Sequence, residues 1–193
     1  MANELKYGDK VHIQNGYDNW KGGYLDANTG SSAGPTAVYQ VATAATSNRS
    51  AGSGTWQISS VSGKQAGDSV LSGDTIHLRN LFGAGSYLDV SGGAAAAQTQ
   101  AAIYDVSTNS SNDRVGAGTA SWRILAKTSN PLDRAVREND IVLMWSLYDV
   151  GGFLETNGGG PMPTEALIDV CTSAYWDRSN GNCGFWRLTK AQA

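Results

Sequence analysis

Charge is scarce in this sequence. Only 16% of its 193 residues are Asp, Glu, Lys or Arg, and the formal net charge is −3. A chain with no excess of Lys and Arg has no general attraction for phosphate backbones or anionic lipid, so nucleic acid and bilayer surfaces are poor partners. Long apolar runs are missing too: no window approaches the eighteen or so apolar residues of a spanning helix, and no transmembrane segment is expected. The opening "MANELKYGDKVHIQ" lacks the apolar stretch of a Sec-type signal peptide. The expectation is a soluble chain, cytoplasmic or released by a non-classical route. Cysteine is nearly absent. Cys171 and Cys183 permit one local disulfide across a hairpin, or a free buried pair, but not a disulfide framework. With His12 and His77 in distant segments, the four do not have the spacing of a structural zinc site.

Catalytic signatures are lacking as well. No Ser is placed with a matching His and Asp, there is no HExxH, and "NGGGP" at residues 157–161 has neither the lysine nor the helix start of a phosphate cradle. No catalytic residue, metal or cofactor is expected, and the chain does not read as an enzyme.

What is abundant is glycine, 24 residues of it, together with 6 tryptophans and a pattern that recurs three times. "YGDKVHIQNGYDNWKGGYLDANTG", "SGDTIHLRNLFGAGSYLDVSGG" and "ENDIVLMWSLYDVGGFLETNGG" share an acidic turn residue, an alternating strand, a Gly-containing loop and a strand carrying aromatic-Leu-acid. The opening acids Asp9, Asp74 and Asp140 lie 65 and 66 residues apart, and the closing acids Asp26, Asp89 and Glu155 lie 63 and 66 apart. The remainder of each unit repeats in "VYQVATAATSNR", "IYDVSTNSSNDR" and "LIDVCTSAYWDR", aligning Val41, Val106 and Val170, then Thr43, Thr108 and Thr172, then Arg49, Arg114 and Arg178. Each unit ends on a Trp-centred strand, with Trp56, Trp122 and Trp186 spaced 66 and 64 residues apart.

Period-two alternation predicts half-buried antiparallel strands, with Val11/Ile13, Ile76/Leu78 and Ile141/Leu143 on the inner face. Four short strands per unit give twelve in all. "LDRAVREND" is compatible with one helical turn, whereas the glycines of "GGAAAAQTQAA" make that run a loop despite its alanines. Units too small to bury their own apolar faces close around a pseudo-threefold axis. The expected fold is therefore all-β, a β-trefoil: one domain over residues 1–193 with repeats at approximately 6–62, 70–128 and 137–190. Three blades are too few for a propeller.

"YLDVSGG", "AAIYDVSTNSS" and "SWRIL" resemble the ricin-B type lectin repeat, and the first strands are also similar to MIR and fascin-like trefoils. The resemblance covers nearly the whole chain. It implies a carbohydrate-binding module in which the acid after Leu accepts hydrogen bonds from sugar hydroxyls and an aromatic on the next strand stacks on the ring. Carried over residue by residue, the implied sugar contacts are Asp26 with Tyr39, Asp89 with Tyr104, and Glu155 with Ile168 in place of the aromatic. The family's Asn before the Trp is replaced here by Ser53, Thr119 and Cys183.

Each residue series also has a purely structural use. A thrice-repeated Trp on an alternating strand belongs to the core. The acids can satisfy turn amides or pair with Arg, and the Arg series reads as a loop clamp that hydrogen-bonds backbone carbonyls within each unit. His12 and His77 align with Val142, which points to packing. The expected partners are glycans or glycoconjugates, through shallow grooves in which multivalency supplies strength. Two other classes stay open: a protein-binding trefoil, such as a protease inhibitor, that uses "YDNWKGG" (residues 17–23) or "SAYWDRSNG" (residues 173–181), and a cell-surface-targeting toxin or defence protein.

Overall fold

The computed structural model describes residues 3–30, 36–94, 101–114, 116, 118–128, 130–158 and 165–192, without the side chains of residues 28–30. Its strands are β1 (Lys10–Asn15), β2 (Tyr24–Gly30), β3 (Ala37–Ala44), β4 (Trp56–Ser60), β5 (Thr75–Asn80), β6 (Ser86–Gly93), β7 (Ala102–Asn109), β8 (Trp122–Ala126), β9 (Ile141–Ser146), β10 (Gly152–Thr156), β11 (Ala166–Ser173) and β12 (Trp186–Lys190). All pairings between them are antiparallel.

The pairings form two closed circuits. β1 pairs with β4, β4 with β5, β5 with β8, β8 with β9, β9 with β12, and β12 returns to β1, which makes a six-stranded barrel without a free edge. The remaining strands form the hairpins β2–β3, β6–β7 and β10–β11. Their second strands meet one another as β3–β7, β7–β11 and β11–β3, capping one end of the barrel. This architecture is a β-trefoil.

The threefold spacing of the sequence becomes a threefold core. Trp56, Trp122 and Trp186 are each fully buried, and their indole N–H groups donate to the carbonyls of Leu25, Leu88 and Leu154 at 2.9, 3.0 and 2.8 Å. A buried indole needs such a partner, and the hairpin strand of the same unit supplies it each time. The opening acids hold turns: the carboxylates of Asp9, Asp74 and Asp140 accept from the amides of Lys6, Leu71 and Arg137, three residues earlier, at 2.8, 2.8 and 2.9 Å. Thr108 and Thr172 accept the amides of Tyr39 and Tyr104 from the preceding unit, and Thr43 donates to the Ile168 carbonyl, so the cap is stitched between units.

One strand departs from expectation. Val11/Ile13 and Ile76/Leu78 face the core, but in β9 the buried apolar residues are Val142 and Met144, while Ile141 and Leu143 are only half-buried. A one-residue slip moves every side chain to the other face, and β9 is apolar on both faces, so alternation does not reveal its register. The corresponding partner of His12 and His77 is therefore Leu143. "LDRAVREND" forms no helix: it holds turns at residues 131–133 and 138–139 with isolated bridges at Ala135 and Arg137 between them. Residues 95–100, which hold most of the alanine run, lie outside the described residues.

Candidate functional site

Asp26, Asp89 and Glu155 sit at the same place in the three hairpins, and the structure gives them a structural task. Their exposures are 1%, 0% and 0%. Arg49 Nη2, Arg114 Nε and Arg178 Nε donate to their carboxylates at 2.9, 2.9 and 2.8 Å. The same guanidinium groups reach the next carbonyl of the strand, Ala27, Val90 and Thr156, at 3.4, 3.1 and 3.3 Å. The Ser53 hydroxyl donates to the second oxygen of Asp26 at 2.7 Å, and the Cys183 thiol donates to Glu155 Oε2 at 3.2 Å. In units one and three, acid, Arg and Ser or Cys thus fall on one network, whereas in unit two Thr119 Oγ1 and Asp89 Oδ2 are buried without a hydrogen-bond partner among the described residues. Burial pushes the carboxyls of Asp89 and Glu155 above the ordinary range, against the opposing pull of Arg114 and Arg178. The three acids implied as sugar contacts thus expose almost no surface, and each is engaged by the Arg of its own unit.

Tyr39 and Tyr104 are half-buried at the junctions between units. Tyr39 meets Phe82 of the second unit edge-to-face at 5.2 Å, and Tyr104 meets Tyr148 of the third in the same way at 5.3 Å. The Tyr104 hydroxyl also donates to Asp149 at 2.8 Å. Phe82 and Tyr148 have one counterpart in the first unit, Tyr17. The three amides donate to Asn80, Ser146 and Asn15 side chains at 3.0, 3.3 and 3.0 Å, which fixes the equivalence.

At the third junction the pair is broken. Ile168 occupies the position of Tyr39 and Tyr104, and Tyr17, 40% exposed, lines with it a cleft of about 460 Å³ together with Thr156, Asn157, Gly158, Leu167, Arg178 and Ser179. The chain leaves Tyr17 through one left-handed turn, with φ of 46°, 56° and 69° at Asp18, Asn19 and Trp20. The ring rests on Gly181, where a Cβ would come within 3.0 Å of it. Residue-by-residue transfer marked unit three as the groove without an aromatic. The structure gives that groove an aromatic from the adjoining unit.

Beside this cleft the loop from β11 to β12 carries Tyr175 and Trp176, 60% and 54% exposed. They wall a second cleft of about 390 Å³ with Ala101, Asp177 and Arg178. The two cysteines are buried, unbonded thiols that both attend Glu155: Cys171 is its strand partner and Cys183 its hydrogen-bond donor.

One cluster contains Ser, His and Asp without the geometry of a nucleophilic triad. Asp113 Oδ2 and Ser121 Oγ lie 3.0 and 3.3 Å from the same His77 nitrogen, Nε2, and 2.8 Å from each other, whereas a triad uses opposite ring nitrogens. Ser121 is buried as well. Among the described residues no group of three or more His, Cys, Asp or Glu is placed to hold a metal, and no helix is long and apolar enough to cross a membrane.

No family model matches the sequence, and no curated protein matches it. Solved structures are similar in fold. An SDF2-like protein from Arabidopsis thaliana superposes with a TM-score of 0.67 at 15% identity, over 96% of this chain and 94% of that one. The S. cerevisiae protein O-mannosyltransferase Pmt1-Pmt2 complex bound to the sugar donor gives a TM-score of 0.72 at 13% identity, over 97% of this chain and 25% of that one. The botulinum neurotoxin serotype D ligand binding domain in complex with N-acetylneuraminic acid gives 0.67 at 17% identity, over 98% and 44%. At these identities the likeness establishes the β-trefoil fold.

Proposed function

We propose that this protein is a non-enzymatic carbohydrate-binding module of three ricin-B-like units, acting as one domain, and that its principal sugar site is the cleft between units three and one. The observation that carries this reading is the solvent-exposed ring of Tyr17 beside a polar-walled cleft, at the one junction of three where the neighbouring unit supplies no aromatic. A sugar ring has apolar C–H faces and a hydroxyl rim. It matches an exposed aromatic flanked by polar groups such as the Ser179 hydroxyl and the Gly158 backbone. The grooves of Tyr39 and Tyr104 are filled by their own ring pairs, so these tyrosines serve as closures. The sialic acid of the botulinum neurotoxin domain lends support to glycans as ligands and makes N-acetylneuraminic acid a natural first probe.

The test is a glycan array followed by titration of the retained sugars, and of N-acetylneuraminic acid, against single variants. Tyr17→Ala weakens binding by about 1–2 kcal/mol, the scale for truncating an aromatic contact, while the melting temperature holds. A protein that retains no glycan, or whose glycan binding ignores Tyr17→Ala, is not this module.

A further inference from the structure

The β11–β12 loop breaks the threefold pattern a second time. Where units one and two carry Thr46-Ser47 and Ser111-Asn112, unit three carries Tyr175-Trp176. The fold does not require aromatic residues at this place, because the other two units build the same loop from small polar ones. Nor does the loop bury them: both rings remain more than half exposed, although covering such large apolar surfaces is favourable.

The loop is held rather than loose. The amides of Ala174, Tyr175 and Asn182 donate to the Ala101 carbonyl, Ser173 Oγ and Asp177 Oδ1 at 3.1, 3.2 and 2.8 Å. Gly184 packs so tightly under the Trp176 carbonyl that no Cβ fits, and the Trp176 ring meets the Phe185 edge at 6.0 Å. Two aromatic faces are thus presented with part of their ordering cost already met by the fold, which is how a preorganised binding surface gains affinity.

Arg178 joins this surface to the Tyr17 cleft. Fixed by Glu155 and the Thr156 carbonyl, it walls both clefts. We infer that the Tyr175-Trp176 loop is a second saccharide subsite, continuous with the Tyr17 cleft across Arg178, and that the ligand is a glycan chain spanning both rather than one sugar. This rests on the carbohydrate reading above and extends it to chain length.

The experiment uses the full chain on length series, monosaccharide to hexasaccharide, built on galactose, mannose and N-acetylglucosamine, with sialylated members included. Wild-type protein binds trisaccharides and longer at least about tenfold more tightly than the matching monosaccharide, as two linked contacts require. Trp176→Ala and Trp176→Ser, the latter copying unit one, bring that ratio toward one, and Trp176→Phe restores most of it. Circular dichroism melts confirm folding in each case. Affinity independent of length, or a ratio unmoved by both Trp176 variants, overturns the second subsite and leaves the carbohydrate reading standing. Failure of wild-type protein to bind any member overturns both.

Discussion

Asp89 is an acid with no surface, and at the scale of single residues its balance with Arg114 explains more of this protein than any exposed group does. Arg114→Met strands a buried carboxylate and costs on the order of 3–5 kcal/mol, because the desolvated charge keeps no cation. Burial already holds the Asp89 carboxyl high, so in this variant the acid is neutralised as pH falls toward the ordinary carboxyl value, and part of the lost stability returns. Urea unfolding at pH 7 and pH 4 measures it; a deficit that does not shrink at pH 4 refutes the account. Asp113 behaves oppositely. Burial would raise its pKa, but hydrogen bonds from His77, Ser121 and the Ala120 amide outweigh that and hold it below the ordinary range. A carboxylate depressed in the folded state stabilises above the unfolded pKa of about 4 and loses that contribution as pH falls through the folded value. Asp113→Asn therefore costs on the order of 1–3 kcal/mol at neutral pH, and the gap between variant and wild type closes below about pH 4. Equal deficits at pH 7 and pH 3 would contradict the assignment.

At the scale of elements, the loops before the Trp strands are where the units differ. Gly54 and Gly184 occupy equivalent places, and a Cβ on either would come within 2.1 Å of the backbone carbonyl of Ser47 or Trp176. Gly184→Ala therefore forces the β11–β12 loop outward. The expected cost is about 1–3 kcal/mol from overpacking, with a shifted Trp176 emission and weakened binding of long glycans. A variant that melts and fluoresces like wild type would show that the loop yields freely. The strand β9 is the instructive case for legibility. Its apolar residues are evident from sequence, but which of Val142 and Ile141 turns inward is decided by pairing with Trp186, on the far side of the barrel in sequence. The spacing from the opening acid, two residues to Val11, Ile76 and Val142 alike, carried that signal.

For the whole molecule, the proposed sugar site rests on departures from symmetry. Closure of the barrel and cap demands three equivalent strand pairs, Trp anchors and acid–Arg clamps, so the repeated residues are committed to folding. Ile168→Tyr restores the missing ring opposite Tyr17. It raises stability by about 0.5–1.5 kcal/mol, the worth of an aromatic pair, while filling the cleft and abolishing glycan binding. Calorimetry and array binding on the one variant test both halves, and a variant that binds as wild type places the sugar elsewhere.

The sequence by itself determined the strands, the threefold register, the Trp core and an Arg in each unit that reaches backbone carbonyls, because each is written three times at nearly constant spacing, and outside β9 local alternation fixes which face is buried. Only the tertiary structure decided that Asp26, Asp89 and Glu155 point at those arginines, that Tyr39 and Tyr104 pair with Phe82 and Tyr148, and that Tyr17 and Ile168 line one cleft. The acid–Arg contacts join a strand to a loop of the same unit, and the ring contacts join different units, Tyr17 and Ile168 lying at opposite ends of the chain; no spacing within one repeat records which side chain a neighbouring repeat brings against it.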